Sequence, residues 1–166
     1  MNRTSASLGS VVFFFVAPVL VAGVIPWWIT RWRMEPLFLD ASAIKAVGAI
    51  LVASGLVVVA DSFARFALEG IGTPAPAFPT RHLVVTGLYR RVRNPMYVAV
   101  VAMILGQALL FASLGLLVYG AVTWLCTHVV GYEEPTLRNQ FGSEYEIYRA
   151  NVPRWLPRIR PWRAPG

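Results

Sequence analysis

The chain alternates between long apolar runs and short clusters crowded with charge, aromatic rings and proline. Four runs are nearly free of charge: about Leu8 to Thr30, Ala41 to Ala60, Met96 to Phe111 and Leu114 to Val130. A helix that crosses the hydrocarbon layer of a bilayer needs roughly 20 apolar residues, with a range of about 17 to 25. The first two runs satisfy that length. The last two are shorter and are parted only by Ala112-Ser113, which predicts a tight helical hairpin. The pattern predicts an all-α integral membrane four-helix bundle with a cytoplasmic C-terminal helix and tail. The spans fall at about 8–30, 41–66, 95–111 and 114–131, and the C-terminal segment covers 132–166. The whole chain, 1–166, reads as a single membrane domain.

Composition agrees. Hydrophobic residues make up 57% and charged residues 14%, too apolar for an ordinary soluble domain. The first run has a short polar lead with one arginine, and its core exceeds the roughly 7 to 15 residues of a signal peptide. It is expected to be a retained span. Pro18 and Pro26 are tolerable there if neighbouring groups satisfy the carbonyls that proline frees.

Charge orients the spans. The formal net charge is +7, and its arginines are clustered. Arg81, Arg90, Arg91 and Arg93 lie between the second and third runs; Arg138, Arg149, Arg154, Arg158, Arg160 and Arg163 follow the fourth. The positive-inside tendency places both regions, and with them both termini, in the cytoplasm. Arg31 and Arg33 pull the other way, partly offset by Glu35 and Asp40. Arginines that flank membrane segments point to anionic headgroups rather than to nucleic acid. Cys126, the one cysteine, is expected to be a small buried hydrophobe. With His82 and His128 it makes no metal site, so no metal is expected.

Trp27, Trp28 and Trp32 beside Arg31 and Arg33 read as an interfacial belt. Asp61 and Arg65 are four apart and share a helix face. They are either functional groups at membrane depth or an ion pair sealing the helix end. Three prolines and two glycines between Glu69 and Pro79 forbid a long helix and favour an extended loop. Gly70-Ile71-Gly72 lacks the third glycine and the strand context of a dinucleotide site. Leu83 to Thr86 is short and β-prone.

The densest cluster is Thr86-Gly87-Leu88-Tyr89-Arg90-Arg91-Val92-Arg93-Asn94-Pro95-Met96-Tyr97, with three arginines and two tyrosines leading into an apolar run. Pro95 suits the first position of a helix and Asn94 the capping position before it. The free N–H groups of that first turn also suit an anion. A second polar cluster, Gly131-Tyr132-Glu133-Glu134-Pro135, leaves the last run. Adjacent helical residues point about 100° apart, so Glu133 and Glu134 cannot face the same way. One is free to meet the arginines and the other a ligand. The helix that follows carries Leu137, Phe141, Tyr145 and Tyr148 on one stripe. The tail from Val152 to Arg163 alternates arginine, aromatic and proline, which precludes a regular helix and favours lying along headgroups.

These clusters resemble one superfamily. Gly87 to Tyr97 is similar to the G-x-Y-x-x-x-R-H-P-x-Y signature of isoprenylcysteine carboxyl methyltransferases and their phospholipid methyltransferase relatives. The resemblance continues through Glu133, Glu134 and Leu137, through Phe141-Gly142-Ser143-Glu144-Tyr145 with Tyr148, and through Val152-Pro153-Arg154. Gly72 to Pro76 is similar to a G-T-P-x-P loop found in bacterial members. It implies a methyltransferase of the bacterial inner membrane that uses S-adenosylmethionine and releases S-adenosylhomocysteine. Carried over, Tyr89, Arg93, Asn94, Pro95, Tyr97, Glu133, Glu134, Tyr145, Tyr148 and Arg154 contribute to the cofactor pocket, with Glu134 and Arg93 as the catalytic pair. The implied acceptor is a lipophilic small molecule, a lipid or a prenylated carboxylate among membrane lipids. N-methylation of a phospholipid or small amine is the alternative, and a membrane scaffold or transporter subunit the remote one. Asn94 departs from the signature's histidine and cannot take up a proton at neutral pH.

Overall fold

The computed structural model describes residues 16–33, 42–65, 83–129 and 133–163; the side chains of His128, Val129 and Glu133 are outside the described set. Among the described residues there are five helices and no strand. They are α1 (Val16–Thr30), α2 (Ser42–Arg65), α3 (Pro95–Phe111), α4 (Leu114–Val129) and α5 (Glu133–Asn151). A 3-10 turn covers Gly87–Arg90. One described helix, α2, is long and apolar enough to cross a membrane; α1, α3 and α4 are shorter apolar helices. The first part of the expected span at 8–30, and the proline-rich loop to Pro79, lie outside the described residues.

The chain divides into two compact units. One gathers residues 15–59 and 97–129, the apolar helices. The other gathers 60–96 and 130–166 with 1–14.

In the apolar unit the helices meet through small residues and a few polar staples. A Cβ on Gly48 would stand 2.7 Å from the Gly106 carbonyl oxygen, and one on Gly106 would stand 2.7 Å from the Gly48 oxygen. Seven residues along α2, Gly55 faces Ala99, whose oxygen would be 2.9 Å from an added Cβ. The two pairings run in opposite directions, so α2 and α3 pack antiparallel at backbone contact. Hydrocarbon gives apolar helices no hydrophobic reason to associate, so such close approach and hydrogen bonding must hold them.

The staples act on α1. Pro26 has no N–H, so the Ala22 carbonyl loses its helical partner. The turn before it widens to a π-helical segment, Leu20–Val24, in which the Ile25 N–H bonds back to Leu20. Two carbonyls are thereby freed. Gln107 Nε2 on α3 donates to the Ala22 oxygen at 2.7 Å, and the Tyr119 hydroxyl on α4 donates to the Val21 oxygen at 3.0 Å. Around these bonds Ala22, Val100 and Ile104 form a buried apolar cluster.

The predicted hairpin forms at Ala112-Ser113. Ala112 adopts φ 52°, a left-handed turn, and the Ser113 N–H bonds to the Ala108 carbonyl at 3.0 Å. Ser113 is buried and caps α4, its hydroxyl accepting from the Leu116 N–H at 3.4 Å. On the outward face of α4, Leu114, Val118, Val122 and Leu125 are each half exposed or more, as are Ile50 and Val57 on α2. Side chains of this size fit contact with lipid rather than with water. Cys126 corrects the sequence expectation: it is exposed, not buried. It lies four residues after Val122 on the same outward stripe, and a helix that is apolar all round has no polar side to mark that stripe in sequence.

Gly48→Ala should lower stability by about 1–3 kcal/mol, because the added methyl runs into the Gly106 backbone oxygen and into Leu109 and Leu110 behind it. Gly23→Ala, where nothing lies within 4 Å of the added carbon, should cost nothing. Thermal unfolding of both variants in one detergent checks the contrast.

Candidate functional site

The second unit is built around a turn, a helix and a strap. Thr86 to Val92 closes by the Tyr89 N–H to the Thr86 oxygen at 3.0 Å and the Arg91 N–H to the Leu88 oxygen at 2.8 Å. The turn starts at Gly87 with φ 51°, a conformation that glycine adopts without a Cβ penalty. A side chain there would also have to push the Arg65 guanidinium aside, because it lies where a Cβ would go. Arg65 is fixed by Asp61, Nε to Oδ2 2.9 Å, and donates from Nη1 to the Thr86 hydroxyl at 3.0 Å. Asp61 and Arg65 thus clamp the turn. Leu83 to Thr86 forms no strand; Leu83 and Val85 pack on the aromatic cluster of α5.

In α5 the expected stripe is present: Tyr145, Tyr148 and Val152 are buried, with Leu137 and Phe141 against them. The helix bends at Gly142, whose φ 50° and ψ −123° are not helical. The sequence pattern, read as one uninterrupted helix, did not anticipate the bend. Beyond Asn151 the chain runs as a non-helical strap along the turn. The Arg93 N–H donates to the Pro153 oxygen at 2.9 Å, Arg158 to Arg91 at 3.0 Å, and Trp162 to Arg90 at 2.8 Å. Arg90 Nε returns a bond to the Trp162 oxygen at 2.5 Å.

Turn, helix and strap each send an arginine to one carboxylate. Glu134 Oε1 accepts from Arg93 Nη1 at 3.0 Å. Arg154 Nε lies 3.5 Å from the same oxygen, near enough for attraction but not hydrogen-bonded. Arg149 Nε is 3.7 Å from Oε2. Arg93 also donates to the Tyr145 hydroxyl at 3.4 Å, and its side chain is only 12% exposed. Arg149 also reaches Glu146, Nη1 to Oε2 3.5 Å, so among the described residues the three arginines stand against two carboxylates and keep a positive excess. Among the described residues, the Nε groups of Arg93 and Arg154 are buried without an acceptor. Buried donors of this kind are costly unless something accepts from them.

The phenols are held neutral. Burial pushes the Tyr145 pKa up, the Glu134 charge adds to it, and Arg93 opposes. Burial pushes Tyr148 up more strongly, with Tyr89 adding and Arg93 opposing. Tyr148 donates to the Tyr89 carbonyl at 2.7 Å and its ring lies 5.9 Å from that of Trp162.

Of the residues named from sequence, Arg93, Glu134, Tyr145 and Arg154 meet directly, and Tyr89 and Tyr148 pack beside them. Asn94 and Pro95 continue the turn, and α3 begins at Pro95. Tyr97 falls in the apolar unit, and the Glu133 side chain lies outside the described residues. Sequence reasoning missed Arg149, Trp162 and the hold of Arg65 on Gly87. Arg149 carried a signal, since it lies four residues after Tyr145 on the same helix face.

Half-buried arginines thus gather on one carboxylate beside the turn that leads into α3. Residues 43–144 match the phospholipid methyltransferase family, and the chain belongs to that family of methyltransferases. Over 81 residues it is 37% identical to a protein-S-isoprenylcysteine O-methyltransferase of Schizosaccharomyces pombe. The aligned stretch is 47% of this chain and 34% of the relative, so the chain spans about a third of that protein's length.

Gly87→Ala should destabilise strongly, and Arg65→Ala on top of it should recover part of the loss by vacating the space. A double-mutant cycle on unfolding midpoints should therefore be less than additive; additivity would mean the clamp is not there. Tyr148 is protonated in the fold above the ordinary tyrosine value of about 10. Its stabilisation is complete below that pH and is lost as pH rises through the higher folded value. Tyr148→Phe should flatten the alkaline fall of the unfolding midpoint.

Proposed function

We propose that the protein is an integral membrane methyltransferase that uses S-adenosylmethionine to methylate a lipophilic acceptor at the cytoplasmic membrane face. The reading includes four spans that contain α1 to α4, cytoplasmic termini, and residence in a bacterial inner membrane. One observation carries it: the arginine-rich cluster on Glu134, built from the family motif, with two buried guanidinium N–H groups lacking an acceptor. A carboxylate fits that need, and S-adenosylmethionine carries one. When bound, the cofactor would supply an electrophilic methyl group on a sulfonium sulfur.

The chain's own residues bind, orient and exclude water. Arg93 and Arg154 offer donors to a carboxylate. Glu134 holds the arginines in register and keeps their mutual repulsion in check. Tyr145, neutral at physiological pH, offers a hydroxyl rather than a charge. Tyr89, Asn94, Pro95, Tyr97, Glu133 and Tyr148 complete the proposed pocket. Displacement at a methyl group needs alignment more than covalent help. An ionised acceptor carboxylate needs no base, which suits Asn94, a side chain that cannot take a proton. That favours carboxyl O-methylation over N-methylation of an amine, which must first lose a proton.

Glu134→Gln or Arg93→Lys should weaken S-adenosylmethionine binding by about tenfold or more, the loss of one buried charged hydrogen bond. Calorimetry on nanodisc-embedded protein measures it. Failure of folded wild type to take up the cofactor would overturn the reading, and radiolabelled transfer to a membrane extract would identify the acceptor.

A further inference from the structure

The strap from Val152 to Arg163 is cationic, apolar on its outer side and rigidly held. It contains four arginines and no acidic residue. Its two exposed aliphatic side chains, Leu156 at 79% and Ile159 at 89%, are the most exposed large apolar groups among the described residues. Arg160 and Arg163 are exposed beside them. Arg158, half-buried, is anchored by donating Nη1 to the Asn151 carbonyl at 2.5 Å. Arg154 is turned inward to Glu134, with its guanidinium 5.0 Å from the Trp155 ring centre.

The strap is not a floppy tail. Hydrogen bonds from Arg93, Arg158, Trp162 and Arg90 tie its main chain to the turn at three places along its length. Val152, its first residue, is buried, and the Trp162 ring lies tilted against that of Tyr148. Leu156 and Ile159 are therefore presented outward by a fixed backbone, and little further ordering is needed for them to meet a surface. Water is a poor neighbour for both.

We infer that this strap is a docking surface for the anionic face of a phospholipid bilayer. Leu156 and Ile159 enter the acyl boundary while Arg158, Arg160 and Arg163 meet headgroup phosphates. The division matches interfacial segments, in which apolar side chains dip below the headgroups and basic ones stay at their level. Cytoplasmic leaflets carry negative surface charge that attracts basic segments within a Debye length. A docked strap also holds the main chain of Arg90, Arg91 and Arg93, so lipid charge is felt by the turn that carries Arg93.

The test uses the full chain with Cys126→Ser and Ile159→Cys, labelled at position 159 with a polarity-sensitive dye. The protein is placed in nanodiscs of phosphatidylcholine alone or mixed with phosphatidylglycerol. Docking gives a blue-shifted dye in the anionic discs that reverts in high salt. Arg160→Gln with Arg163→Gln should shift the docked fraction back, by about fivefold per arginine. In the same discs, amide exchange at Arg93, Arg158 and Trp162 should slow. A dye that reports water in both discs, or that is equally shifted in both and insensitive to salt and to the arginines, overturns the proposal. Unchanged amide protection overturns the link to the turn. Neither readout requires methyl transfer, so failure here is separable from failure of the proposed reaction.

Discussion

Glu134 is the group on which the second unit depends. Arginines from three segments converge on it: Arg93 from the turn, Arg149 from α5 and Arg154 from the strap. The turn and the strap are short, and the core they share with α5 is the thin layer of Tyr145, Tyr148 and Val152. Without the carboxylate, Arg93 and Arg154 would face one another half-buried, and Arg149 would keep only Glu146. Breaking a buried pair from one side is more costly than never having formed it. The ion cluster and the main-chain bonds between turn and strap are thus complementary. The bonds set spacing, and the carboxylate makes that spacing tolerable.

The apolar unit rests on different physics. Its helices cannot rely on expulsion of water where both faces are greasy. They use contact between backbones at Gly48 and Gly106, and polar side chains that answer specific carbonyls. Gln107 and Tyr119 are polar residues in apolar runs, each with a named carbonyl to serve. That contrast explains why polarity is concentrated in short clusters elsewhere and scattered singly here.

Much of this was legible from residue order. Helix-length apolar runs, the break at Ala112-Ser113, the start of α3 at Pro95 and the stripe through Tyr145 and Tyr148 all follow from local rules of length, turn chemistry and periodicity. The meeting of Arg93 with Glu134 followed from the hairpin of α3 and α4, which carries the chain out and back between two polar clusters and so brings residues forty-one apart together. What escaped reading depended on shape in three dimensions. Gly142 gave no hint of a bend, since glycine is compatible with helix and kink alike. The service of Gln107 to the carbonyl above Pro26 required knowing which helices touch. Cys126 was misjudged because hydropathy does not tell the packed side of an all-apolar helix from its outer side.

The widened turn in α1 has a mechanical meaning. An ordinary helix can rotate or slide against its neighbours with modest loss, since its own ladder satisfies every carbonyl. This one cannot. Val21 and Ala22 look to Tyr119 and Gln107, so any twist or shift of α1 strands two acceptors among apolar side chains. The first helix is keyed to its neighbours like a bolt in a slotted plate. If a greasy guest must slip in from the side, the door is hung on some other post.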